Sequence, residues 1–212
     1  KLLSQLEVGD AILDVSGPLG KATEIDGLKR VCVVGGGTGN ALAYPVVKGL
    51  HDAGVHVDMV SGFKTEALVV LEDEFKAAVD NFYLLTDDGS KGEKGFTTDK
   101  LKALIEEGNQ YDEVITVGPP IMMKFVCAIT EPYNIPTVAS LTALMIDGTG
   151  MCGGCRVSID GEKKYVCVDG PEFDGQKVDW DTLIARNAYY KEEEQEQNEH
   201  ICRITGGVRH YE

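Results

Sequence analysis

Four residues that can bind metal lie close together in residues 147–167 of this 212-residue chain: Asp147, Cys152, Cys155 and Cys167. Two-iron clusters usually take four thiolates, and C-x4-C-x2-C followed by a distant fourth cysteine is one recognised spacing. Here the first position of that spacing is Asp147, whose carboxylate is a harder and less electron-donating ligand than a thiolate. The pattern therefore predicts a 2Fe–2S cluster held by three thiolates and one carboxylate.

The glycines of the same segment favour a cluster over the alternatives. They are Gly148, Gly150, Gly153 and Gly154. A loop so rich in glycine can wrap a compact inorganic core with its N–H groups pointing inward, and such donors stabilise the reduced, more negative cluster. The Asp160-Gly161 pair predicts a hairpin that places Cys155 roughly opposite Cys167. A zinc site with the same four ligands stays open as an alternative, as do packed cysteines without a metal.

A glycine-rich turn earlier in the chain has the residue types of a nucleotide site. Gly35-Gly36-Gly37-Thr38-Gly39 follows a short apolar run at residues 31–34 and opens a predicted helix. Glycines allow the backbone to approach a pyrophosphate closely, and the helix N-terminus supplies N–H donors and the positive end of a dipole. The pattern predicts nucleotide binding, with a tight strand-to-helix turn that holds no ligand as the alternative.

Two further turns should border the same crevice. Gly118-Pro119-Pro120-Ile121-Met122 follows the fifth predicted strand, and Asp87-Asp88-Gly89-Ser90 follows the third. The carboxyl ends of parallel strands meet at one edge of a sheet, where open α/β folds bind their ligands. Gly118, Pro119 and Met122 are therefore candidate nucleotide contacts. Asp88 is a further candidate, although an ordinary Asp-Gly turn explains it equally well.

Alternating strands and helices must position these turns. We predict strands at residues 31–34, 55–61, 81–86, 113–117 and 137–140, and helices at 39–54, 67–79, 98–107 and 121–130. Five short strands joined by crossover helices predict an α/β fold with a doubly wound, five-stranded parallel sheet.

The ends of the chain break that alternation. Residues 1–28 have the pattern of strand and turn, which resembles the last strands of a barrel. We therefore divide the chain into a barrel remnant at 1–28, a nucleotide-binding domain at 29–141, a cluster subdomain with a hairpin at 142–176, and a C-terminal helix and tail at 177–212. The first residue is Lys1 rather than Met, so we expect a piece of a longer chain.

Composition narrows the possible functions. The formal net charge of −15 repels phosphate backbones and anionic lipid, so we expect neither a nucleic-acid partner nor a membrane partner. No apolar stretch approaches the roughly 20 residues that a spanning helix needs. Three of the six cysteines lie in the one glycine-rich segment, which indicates a metal or cluster site in a reducing compartment such as the cytoplasm.

Several motifs together resemble a known family. Gly35 to Pro45 resembles the pyrophosphate turn of the flavodoxin/ferredoxin reductase superfamily, and Gly118-Pro119 resembles the turn beside its nicotinamide, with Val117 in place of the usual cysteine. The remaining motifs are Gly17-Pro18-Leu19-Gly20, Leu71 to Glu74, Asp87 to Ser90, Asp147 to Arg156 and Cys167 to Phe173. The set resembles the electron-transfer subunits of sulfide dehydrogenase and dihydroorotate dehydrogenase type. Within that family, Asp147 indicates the small subunits of NADH-dependent reduced ferredoxin:NADP oxidoreductases, since the dihydroorotate dehydrogenase subunits use four cysteines.

The resemblance implies an oxidoreductase subunit that moves electrons between NAD(H), FAD and a 2Fe–2S cluster. It also implies a larger flavin and iron–sulfur subunit as the partner, with ferredoxin reached through the complex. Glu66, together with Glu72 and Asp73, would repel the 2′-phosphate of NADP, so we favour NAD although Lys64 lies close by. Most of the family's FAD barrel is missing from this sequence. A dihydroorotate dehydrogenase partner, and a non-catalytic module that binds a nucleotide and zinc, are the alternative functions.

Overall fold

The computed structural model describes residues 5–196, in which a seven-stranded sheet and a separate hairpin are the only sheets. The strands are β1 (Arg30–Gly36), β2 (His56–Phe63), β3 (Asn81–Thr86), β4 (Glu93–Lys94), β5 (Glu113–Val117), β6 (Thr137–Ser140), β7 (Arg156–Ile159), β8 (Glu162–Tyr165) and β9 (Glu172–Asp174). The helices are α1 (Gly39–Asp52), α2 (Glu72–Ala78), α3 (Thr97–Glu106), α4 (Pro120–Thr130), α5 (Val166–Asp169) and α6 (Trp180–Asn187).

The large sheet has the strand order β4-β3-β2-β1-β5-β6-β9. All neighbours are parallel except β6 and β9, which are antiparallel. The five predicted parallel strands are confirmed as β1, β2, β3, β5 and β6. The two extra strands, at opposite edges, are only two and three residues long, too short for a recognisable alternation of apolar and polar residues.

Both faces of this sheet are covered, as parallel sheets require. On β1, Val31 and Val33 pack in a core with residues of α1 and α2, while Cys32 and Val34 face a second core with residues of α3 and α4. Strand β1 is therefore apolar on both sides, which explains why its sequence is a continuous apolar run. The switch in strand order at β1 opens a crevice at the carboxyl ends of β1 and β5.

A third core joins the cluster segment to the sheet. Cys155 and Cys167, on either side of the β7–β8 hairpin, are buried with Met123 of α4 and with Trp180 and Leu183 of α6. The segment is thus packed on the helix that begins at the Gly118 turn. Strand β9 lies inside the predicted cluster subdomain yet pairs with β6 of the main sheet, so the boundary drawn between residues 141 and 142 is crossed by a hydrogen-bonded ladder.

Three expectations about the elements need correction. Residues 5–28 form no strand, because no neighbouring segment in the described part of the chain offers a ladder to them, and their assignment to a barrel stays a prediction. The predicted helix 67–79 is a 3-10 turn at Glu66–Leu68 followed by α2, since Leu71 adopts a left-handed conformation between them. The C-terminal helix predicted within 177–212 is α6, which begins only at Trp180, and a turn at residues 188–190 separates it from a further helical stretch at 191–196.

No helix in the described range 5–196 has both the length and the apolar content to cross a membrane. The predicted tail beyond residue 196, with Cys202, lies outside the described residues.

Candidate functional site

The glycine turn leaves its central residue and the helix start open. Gly37 has a φ of +54°, and a Cβ placed on it would meet no atom within 4 Å. Its N–H donates to the carbonyl of Gly62 at 2.8 Å, which holds the turn against the end of β2. Thr38 is the N-cap residue of α1, but its side chain makes no capping hydrogen bond. The N–H groups of Asn40 and Ala41 donate to the carbonyls of Gly37 and Thr38, which leaves the N–H groups of Thr38 and Gly39 as the ones that can bind an anion at this helix start.

The other glycines of this turn are needed for packing rather than for an open surface. A Cβ on Gly39 would collide with the carbonyl oxygen of Val117, and one on Gly36 would lie 2.5 Å from the sulfur of Met122. A Cβ on Gly118 would in turn lie 3.1 Å from the backbone nitrogen of Gly36. The structure thus brings the two predicted turns into direct contact at the carboxyl ends of β1 and β5. Pro119 belongs to the same contact, since its Cδ would lie 3.0 Å from a Cβ on Gly36.

The sequence analysis did not identify Asn40 as a site residue, although its side chain supports the glycine turn at residues 35–39. Asn40 is fully buried. Its amide donates to the carbonyls of Gly37 at 2.9 Å and Gly62 at 3.3 Å, and its oxygen accepts from the Ser61 hydroxyl at 2.6 Å. A Cβ on Gly35 would collide with the Asn40 side chain, which explains that glycine as well. The available signal was the departure from G-x-G-x-x-G/A at position 40, where a polar residue in an apolar setting implies a specific set of partners.

Asp88 lies farther from the crevice than the other candidates. It follows β3, which is separated from β1 by β2. Its carboxylate accepts from the backbone N–H of Ser90 at 2.9 Å and from the Ser90 hydroxyl, and these bonds lower the pKa of Asp88. The side chain is exposed, so Asp88 serves at least as the turn residue that the Asp-Gly sequence favours.

The four predicted cluster ligands form two pairs. The sulfurs of Cys155 and Cys167 lie 3.3 Å apart, across the start of the hairpin. The carboxylate of Asp147 accepts from the backbone N–H of Cys152 at 2.7 Å and from that of Thr149 at 3.0 Å. In the part of the chain that the structure describes, no three histidine, cysteine, aspartate or glutamate residues converge as a single ion requires. The structure thus brings the Cys155 and Cys167 sulfurs together and joins Asp147 to the backbone of Cys152, without bringing all four predicted ligands to one point in the described residues.

The surroundings of these pairs fit a sulfur-rich, anionic group. The N–H of Gly154 points to the Cys152 sulfur at 3.3 Å, and the N–H of Cys167 points to the Cys155 sulfur at 3.5 Å. Gly148, Gly150 and Gly153 have positive φ angles, which a loop curved tightly around a compact group requires. Hydrogen bonds from the backbone N–H groups of Thr149 and Cys152 lower the pKa of Asp147, which favours its carboxylate form.

Electrostatics differ between the two pairs. The hydrogen bond between the Cys155 and Cys167 sulfurs raises the pKa of Cys167, and burial and the charge of a neighbouring thiolate act in the same direction. The backbone N–H of Gly150 opposes both effects. Cys152 is exposed, whereas Cys155 and Cys167 are buried, so one side of the site faces solvent.

Fold and site together define a ferredoxin-reductase-like protein with an iron–sulfur segment, and comparison with known proteins agrees. Residues 142–179 match the family model for the iron–sulfur cluster binding domain of dihydroorotate dehydrogenase B. The electron transfer subunit homolog of dihydroorotate dehydrogenase B (NAD(+)) from Thermotoga maritima is 45% identical over 96% of this chain and 72% of its own length. The probable subunit of this kind from Methanocaldococcus jannaschii is 40% identical over 84% of this chain and 67% of its own length.

The chain therefore belongs to the family of dihydroorotate dehydrogenase B electron transfer subunits and their homologues. Among solved structures, a chain of an NADH-dependent reduced ferredoxin-NADP oxidoreductase superposes with a TM-score of 0.86 and 44% identity, covering 94% of this chain and 72% of that one. The resemblance predicted from the motifs is thereby confirmed.

Proposed function

We propose that this chain is an electron-transfer subunit that binds NAD(H) and a 2Fe–2S cluster and works with FAD in a ferredoxin:NAD(P) oxidoreductase complex. The observation that carries the proposal is the presence, on one packed unit, of an open glycine turn at a helix N-terminus and of two ligand pairs in a glycine loop. Family membership supports the same function.

The chain's own residues would bind and orient the dinucleotide. The backbone N–H groups of Thr38 and Gly39 at the start of α1, next to Gly37, would bind the pyrophosphate. Gly118, Pro119 and Met122 form the other wall of the crevice and would border the nicotinamide. Gly35, Gly36 and Gly39 let the two walls meet without side chains between them.

Acidic residues beyond the ends of β2 and β3 favour NAD over NADP. Glu66 follows β2. Its backbone N–H is not available to bind a phosphate, because it donates to the Ser90 hydroxyl at 2.7 Å. Asp87 and Asp88 are exposed in the neighbouring turn. A 2′-phosphate near these carboxylates would be repelled, whereas a ribose 2′-hydroxyl could donate a hydrogen bond to one of them.

Asp147, Cys152, Cys155 and Cys167 would hold the cluster. When bound, flavin and cluster supply the conversion between the two-electron chemistry of nicotinamide and one-electron transfer. We assign none of the described residues to FAD binding. Residues 142–155, which we call the cluster loop, carry the exposed apolar side chains of Ile146 and Met151. These side chains suit contact with a larger flavin and iron–sulfur subunit.

Anaerobic reconstitution with iron and sulfide tests the proposal. The protein should gain two irons and visible absorption, and after reduction an EPR signal of a 2Fe–2S centre. Asp147→Cys should keep the iron but change the EPR spectrum, while Cys127→Ala, which removes a buried thiol outside the site, should change neither. Colourless, iron-free protein with one bound zinc would refute the proposal and support the zinc-binding module.

The partner distinguishes the two enzyme functions. Affinity purification from the native cell should recover a large flavin and iron–sulfur subunit. Recovery of a dihydroorotate-oxidising subunit instead would support the alternative, which the names of the relatives favour.

A further inference from the structure

Two arginines, neither of them a predicted ligand, donate hydrogen bonds to backbone carbonyls of the cluster loop. Arg156, at the start of β7, donates to the carbonyl of Gly153 at 3.0 Å. Arg186, in α6, donates to the carbonyl of Gly154 at 3.1 Å. The next residue, Asn187, donates to the carbonyl of Thr142 at 3.1 Å, so α6 holds both ends of the loop. Arg186 and Asn187 lie beyond residue 179, where the match to the iron–sulfur family model ends.

The two carbonyls belong to successive peptide groups. In a planar trans peptide the C=O and the N–H point in opposite directions. A guanidinium that holds the Gly153 carbonyl on the outside therefore aims the Gly154 N–H inward, and that N–H does point to the Cys152 sulfur at 3.3 Å. By the same peptide geometry, the N–H of Cys155 points away from the Gly154 carbonyl that Arg186 holds. Successive N–H groups on one concave side form a nest that favours negative charge.

We propose that Arg156 and Arg186 are positioning residues that raise the reduction potential of the cluster. This inference rests on the proposed function. Each arginine fixes one peptide group so that its N–H donates toward the sulfur ligands, and donors to sulfur stabilise the reduced, more negative form. Arg186 is half-buried and comes from a helix far along the chain, so α6 contributes to the electron-carrying site without providing a ligand.

The test is an EPR-monitored redox titration of the reconstituted full chain. Arg156→Gln and Arg186→Gln should each shift the midpoint potential to more negative values, by up to a tenfold change in the reduction equilibrium, which is about 59 mV for one electron. Arg156→Lys keeps a hydrogen-bond donor and the positive charge, so its midpoint potential should lie close to that of the wild-type protein. The control is Lys163→Gln, which removes an exposed positive charge from β8 of the same hairpin and should leave the potential unchanged.

Each outcome decides the assignment. Variants that load iron with wild-type potentials and wild-type EPR spectra would overturn it, and so would an Arg156→Lys protein shifted as far as Arg156→Gln. An equal shift in Lys163→Gln would also overturn it, because diffuse charge would then explain the effect. Loss of iron from an arginine variant whose metal-free form melts like wild type would support it. If Arg186→Gln does not fold, the exposed Arg156 decides alone. Wild-type protein without iron would instead refute the proposed function.

Discussion

Replacing Asn40 with alanine should destabilise the chain and loosen the glycine turn. The substitution removes three hydrogen bonds, to Gly37, Gly62 and Ser61. At about 1 kcal/mol for each bond, and about 1 kcal/mol more for a buried Ser61 hydroxyl left without its partner, the loss is about 4 kcal/mol. The better helix propensity of alanine returns about 0.5 kcal/mol. We expect a net loss of roughly 3.5 kcal/mol, which lowers the Tm by about 7–14 °C for a chain of this size.

The same variant should bind NADH more weakly. Without Asn40, the turn around Gly37 must be ordered when the ligand binds, at a cost of about 1 kcal/mol, or roughly a fivefold increase in Kd. Denaturant titration measures the stability and NADH fluorescence measures the Kd. In the double variant Asn40→Ala/Ser61→Ala no hydroxyl is left without a partner and the shared hydrogen bond is lost only once, so its stability loss should be smaller than the sum of the single losses by about 2 kcal/mol.

Either of two results would contradict the predicted role of Asn40. A loss below about 1 kcal/mol for Asn40→Ala would mean that the buried amide does not support the turn. Strict additivity of the two single variants would mean that Asn40 and Ser61 are not coupled.

Two other predictions use glycine geometry and a buried carboxyl group. Gly39→Ala should lower the free energy of unfolding by about 1–3 kcal/mol and weaken NADH binding, because the new Cβ meets the Val117 carbonyl. Gly49→Ala in the same helix is the control: its Cβ has free space, so thermal melting should show a neutral or stabilising effect. Burial and the nearby Glu172 raise the pKa of Glu113 from its ordinary 4.5 to about 7, so the folded state binds the proton more tightly and stability should fall as pH rises through this range. Glu113→Gln should flatten that fall in Tm, and an unchanged pH profile would refute the assignment.

The parts of the fold predicted correctly are those with a local signature. A continuous apolar run followed by Gly35 to Gly39 predicts a buried strand and a tight turn, and both are present. The four residues predicted as cluster ligands from their spacing lie in two local contacts, Cys155 with Cys167 and Asp147 with the backbone of Cys152, and their role as ligands stays a prediction. Strand β9 was not predicted, because three residues carry no periodicity and their pairing depends on β6, more than 30 residues earlier.

The missed site residues depend on long-range contacts. Asn40 is a polar residue inside an apolar pattern, and its role becomes visible only when the end of β2 lies beside it. Arg186 is 32 residues from the carbonyl that it contacts, so no spacing rule connects it with the cluster loop. The strands expected in residues 1–28 are absent from the described residues 5–28 for a related reason, since a strand needs a partner that sequence alone does not supply.

The antiparallel pairing of β9 with β6 has a consequence for turnover. Val138, Ala139 and Ser140 are hydrogen-bonded to the segment that directly follows Cys167, and the shared core with Met123 reinforces this join. A hinge between the dinucleotide crevice and the sulfur ligands would have to break this ladder. If the dinucleotide and the cluster bind as proposed, this ladder holds their two sites at one spacing, and gating of electron flow would have to come from the segment before β1 or from a docked partner.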